Sequence, residues 1–111
     1  MTRVATKTAL PDTDSLQALQ AYVWQMNKER GFNLEDPAKK MLLLTEEVGE
    51  LAKAVRKLAG LKFTDTTKQT ELSEEIADVL IVLLGLSSIV GVDTYEALVS
   101  KETKNRERIW Q

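Results

Sequence analysis

Four carboxylates in this chain recur in one pattern. Glu47 and Glu50 stand three residues apart, and Glu75 and Asp78 repeat that spacing 28 positions on, within the strings Glu46-Glu47-Val48-Gly49-Glu50 and Glu74-Glu75-Ile76-Ala77-Asp78. If each string is helical, the apolar seams are Leu44, Val48, Leu51, Val55, Leu58 and Leu72, Ile76, Val79, Leu83, Leu86. In both helices the two acids then lie about 60° and about 120° to the same side of the seam. Four acids converging at the edge of a core repel one another unless a cation neutralises them. All-oxygen ligation selects a hard ion, Mg²⁺ or Mn²⁺, and Mg²⁺ keeps positions open for water and phosphate oxygens. The pattern therefore points to a phosphorylated, anionic substrate.

A plainer reading stands beside it. Glutamate is a good helix former and usually exposed, so each Glu-x-x-Glu also reads as a solvated face with Lys53, Arg56 and Lys57 as ion-pair partners. The residue types narrow the choice further. The 111 residues include no histidine and no cysteine, which removes thiolate nucleophiles, imidazole bases and sulfur-built zinc sites. Chemistry is left to carboxylates, amines and hydroxyls. A net charge of −2 without a long basic run gives no footprint for nucleic acid.

The elements that must position these acids are all helical, and the length suits one domain. Leu16, Leu19, Val23 and Met26 recur at helical spacing, predicting a helix from Ser15 to Arg30 closed by Gly31. Asp36-Pro37 starts a second helix that runs to Gly60. Polar and β-branched residues break the pattern from Leu61 to Thr70, and a third helix is expected from Glu71 to Val90, stopped by Gly91. Asp93 and Glu96 form a capping box for a fourth helix with a very polar end. A loop of about ten residues between helices two and three makes them an antiparallel hairpin that brings the acid pairs together.

Residues 1–13 are expected to be a flexible arm and 14–111 a single helical domain. The start lacks an apolar segment and cleavage site, and the most apolar stretch, Val79 to Val92, is too short to span a bilayer. A cytoplasmic protein that avoids membranes is expected. The third helix is apolar nearly all round, because Leu80, Ile81, Val82 and Leu84 cannot share one face. Such a helix needs neighbours on several sides, so the four-helix bundle is expected to be completed by homo-oligomerisation, as a homodimer or homotetramer.

These residues resemble the signature of the MazG-like all-α nucleoside triphosphate pyrophosphohydrolases: Glu-Glu-x-x-Glu, a gap, then Glu-x-x-Asp. The likeness takes in Leu42 to Leu51 and a tail with Lys101 and Asn105, and covers roughly Leu16 to Arg108. The resemblance implies a MazG-like fold with Glu47, Glu50, Glu75 and Asp78 as Mg²⁺ ligands and Mn²⁺ as a substitute. Glu46 and Glu47 are the implied catalytic residues, Glu46 as a water-positioning group or else an ordinary surface glutamate. The implied reaction is attack of water on the α-phosphorus of an NTP or dNTP, giving a monophosphate and pyrophosphate, a house-cleaning of the nucleotide pool. Lys101 is the candidate phosphate contact and Asn105 a contact to phosphate or sugar, while Lys104 and Arg108 read as solvating residues. Trp24 is either a base-stacking platform or a cover for the core edge or the subunit interface.

Two rivals predict different behaviour. Phosphoribosyl-ATP pyrophosphohydrolase, a related helical enzyme, would act on one metabolite alone. A non-catalytic oligomerisation or regulatory module would be indifferent to Mg²⁺. A di-iron bundle is ruled out, since it needs Glu-x-x-His pairs.

Overall fold

A computed structural model describes residues 6–32, 36–60 and 66–108, with side chains described outside 66–70. The described residues form four helices and no strand: α1 Leu16–Arg30, α2 Pro37–Ala59, α3 Thr66–Ile89 and α4 Thr94–Glu107. The chain is all-α.

The starts follow the expected chemistry. The Ser15 hydroxyl accepts from Ala18 N–H, Asp36 from Ala38 N–H with Pro37 at the first helical position, and Asp93 from Glu96 N–H. Each satisfies an amide that the helix cannot pair itself. Gly31 and Gly91 adopt left-handed φ of 79° and 76°, and Phe32 and Val92 donate back to Asn27 and Ser87, which closes α1 and α3.

α3 begins at Thr66, five residues before the expected Glu71. A polar turn carries no apolar periodicity, so the sequence pattern is silent there even though the backbone is helical. The connection from α2 is shorter than the expected Leu61–Thr70 segment, and residues 61–65 lie outside the described residues.

α2 and α3 form the most extensive pairing, α1 packs on α3, and α4 packs on α1. Val23, Met26 and Leu84 make the buried centre, with Leu16, Leu19 and Tyr22 against it. Beside it α1, α2 and α3 meet at Gly85, where an added Cβ would stand 2.9 Å from Asn27 Nδ2 and 3.2 Å from Lys40 Cε. Asn27 and Lys40 are 5% and 4% exposed.

The inward face of α2 is rotated from the expected seam. Lys40, Ala54 and Leu58 are buried and Glu47 and Leu51 half-buried, while Val48 and Val55 remain 47% and 49% exposed. Apolar periodicity marks every face that must leave water without saying which neighbour covers it. Met41, Val48 and Val55 on α2 and Ile76, Leu80 and Leu83 on α3 are exposed apolar rows in the single chain, and Val90 just past the end of α3 is exposed as well. Among the described residues no single helix is long and apolar enough to cross a membrane.

Candidate metal centre

The rotation of α2 puts Glu47 on the face that meets α3. Glu47, Glu75 and Asp78 each offer a carboxylate oxygen, all within 4.8 Å of one another; the first two are half-buried and Asp78 is exposed. Ligand oxygens at about 2.1 Å from one ion lie within about 4.2 Å of each other, so small carboxylate rotations would bring the three within reach of one small divalent ion. The donor set is oxygen alone, in keeping with a hard cation.

Burial and like charge act together at this point. Glu47 is held above its ordinary pKa of 4.5, first because burial strips water from its carboxylate and then because Asp78, Glu75, Glu50 and Glu46 repel its charge.

Glu50, one turn on, is not part of the close group. It is exposed, and its Oε1 lies 3.7 Å from Lys53 Nζ. A groove between α2 and α3 opens next to the group, with Glu50, Lys53, Ala54 and Lys57 on one wall and Glu71, Glu74 and Glu75 on the other. Glu71 was not singled out in the sequence, although it precedes Glu75 by one turn on the same face. That i, i−4 relation was the available signal.

The remaining candidates lie elsewhere. Glu46 is exposed beside Glu47 on α2. Trp24 is half-buried on α1, Lys101 is exposed and Asn105 half-buried on α4, and none of the three lines the groove.

Three comparisons of sequence bear on this arrangement. A family model described as the MazG nucleotide pyrophosphohydrolase domain matches residues 35–109, a span that includes the four acids, Lys101 and Asn105 and leaves out Trp24. A relative named dATP/dGTP diphosphohydrolase, from Cyanophage S-2L, is 34% identical over 96 residues, covering 86% of this chain and 74% of that protein. Another, dCTP pyrophosphatase 1 from Mus musculus, is 36% identical over 76 residues, covering 65% of this chain and 45% of that protein.

Proposed function

Since the chain belongs to the MazG nucleotide pyrophosphohydrolase family, we propose that it hydrolyses deoxynucleoside triphosphates to monophosphate and pyrophosphate with Mg²⁺ held by its acidic groove. The observation that carries this reading is the convergence of Glu47, Glu75 and Asp78 from two helices onto one point. The names of both relatives concern deoxynucleotides, which favours that class as substrate over a single sugar-phosphate metabolite.

Glu47, Glu75 and Asp78 would hold the cation, with Glu50 joining them by leaving Lys53. A bound divalent ion supplies neutralisation of polyphosphate charge and a more acidic water. Glu46, exposed beside Glu47, would orient the attacking water, and Glu47 stands within the site as an alternative acceptor of its proton. Water adds to the α-phosphorus, the bond to the bridging oxygen breaks, and pyrophosphate leaves. Lys101 and Asn105 are the proposed contacts to phosphate and sugar oxygens, supported by their place inside the family match, whereas Trp24, outside that match and outside the groove, is kept only as a proposed neighbour of the base. The exposed rows on α2 and α3 are then covered by further copies, as a homodimer or homotetramer.

Purified protein incubated with Mg²⁺ and a panel of dNTPs and NTPs should yield monophosphate and pyrophosphate in equal amounts. Glu47→Gln should lower the rate by at least the roughly 10- to 100-fold that losing an outer partner of a metal ligand costs. No turnover on any nucleotide, with melting indifferent to Mg²⁺, would sink the proposal in favour of a non-catalytic module.

A further inference from the structure

α4 has little of its own to hold it in place. It buries no residue fully and packs mainly on α1, so its direction depends on how it leaves α3. That exit is a turn of 96° through Val90, Gly91, Val92 and Asp93. One α1 side chain spans the whole turn. Gln20, 8% exposed, donates from Nε2 to Ser88 Oγ at 3.1 Å and to the Val92 carbonyl at 2.7 Å. Its Oε1 accepts from Thr94 N–H at 2.9 Å and from Thr94 Oγ1 at 2.7 Å. A turn earlier on α1, Gln17 Nε2 donates to Asp93 Oδ2 at 3.0 Å while the other oxygen of Asp93 caps Glu96 N–H.

A buried primary amide offers two donors and two acceptor lone pairs, and here both ends are engaged. Because an unmet buried polar group costs more than a bond gains, this network has one satisfied geometry. It joins the last turn of α3, the turn itself and the first free amide of α4 to one residue of α1.

We propose that Gln20 is a positioning residue that sets the direction of α4, and through it the place of Lys101 and Asn105 against the substrate's phosphates. The proposal rests on the reading of α4 as a substrate-binding element. It touches neither Glu47, Glu75 nor Asp78, so it predicts a change in nucleotide binding without a change in metal binding.

The test compares Gln20→Met, which keeps bulk and removes the bonds, with Lys101→Ala and Val23→Ala, using the best dNTP from the panel at saturating Mg²⁺ and below every variant's melting temperature. Val23→Ala removes core packing on the same helix and serves as the stability control. Gln20→Met should speed hydrogen exchange at the Thr94 amide by about tenfold or more, the amide having lost its acceptor. It should raise KM several-fold, as Lys101→Ala does, with kcat within about twofold of the parent and the Mg²⁺ concentration for half-maximal stabilisation unchanged. Val23→Ala should leave KM alone. If Lys101→Ala raises KM while Gln20→Met does not, the positioning role is wrong and the α4 reading survives. If Lys101→Ala and Asn105→Ala together leave KM unchanged, the α4 reading fails and takes this proposal with it. If Val23→Ala raises KM as much as Gln20→Met, the effect is loss of stability and the proposal is overturned.

Discussion

At the scale of single residues, Glu47 gives the metal-free protein one component of its pH dependence. Its folded pKa is raised above 4.5 by burial and by Asp78, Glu75, Glu50 and Glu46. A carboxyl with a raised folded pKa stabilises the fold fully below its unfolded pKa, and that contribution disappears as pH rises through the folded value. Metal-free protein should therefore gain melting temperature from this group as pH falls from neutral toward 4.5, and Mg²⁺ should suppress the gain by keeping the carboxylate charged and paired. Glu29 opposes it. Its carboxylate accepts from the Thr8 hydroxyl and from the Lys7 and Thr8 amides, bonds that lower its pKa, so its share is present above 4.5 and lost as pH falls below. Glu47→Gln separates the two: metal-free Glu47→Gln should melt higher than the parent at pH 7 and show no further rise with Mg²⁺. A parent-like Mg²⁺ response in that variant would remove Glu47 from the ligand set. The acidic motif was legible because its repeat at 28 positions is periodic on both helices. What spacing could not tell is that Glu47 faces inward while Glu50 lies out with Lys53, because wheel angles are measured from an assumed seam.

At the scale of elements, caps and stops were readable because each is local chemistry: Ser15, Asp36 and Asp93 bond amides two or three residues on, and Gly31 and Gly91 take a left-handed φ. The polar start of α3 and the role of Gly85 were not, since the first leaves no pattern and the second depends on which side chains arrive from other helices. Gly85→Ala adds a methyl 2.9 Å from Asn27 Nδ2 and 3.2 Å from Lys40 Cε, both buried. Overpacking costs about 1–3 kcal/mol, and the better helix propensity of alanine returns about 1 kcal/mol. A net loss of up to about 2 kcal/mol is expected, seen as a lower urea midpoint with unchanged slope. An unchanged midpoint would mean that Asn27 and Lys40 can shift aside freely.

For the whole molecule, the exposed rows decide. Met41, Val48 and Val55 repeat every seven residues on α2, and Ile76, Leu80 and Leu83 continue the apolar surface on α3. Light scattering on the parent should give a mass of two or four chains. Val48→Asp with Leu80→Asp should reduce it to one and lower the melting temperature, since each buried valine or leucine is worth about 1.5–3 kcal/mol. A monomeric parent would overturn the assembly. The expectation of partners comes from α3, apolar around its circumference, but which face of α2 turns inward was not legible, because α2 divides its apolar arc between α3 and the outside.

The few side chains that one chain buries by itself, among them Val23, Met26, Ala54, Leu58 and Leu84, have a consequence for supply. When folding depends on association, the folded fraction rises with the number of copies, and the unassembled remainder is what proteases remove. Under the proposed assembly, abundance would act as a threshold: too little of this chain would leave not a weaker enzyme but almost none, and a modest increase in synthesis would yield a disproportionate gain.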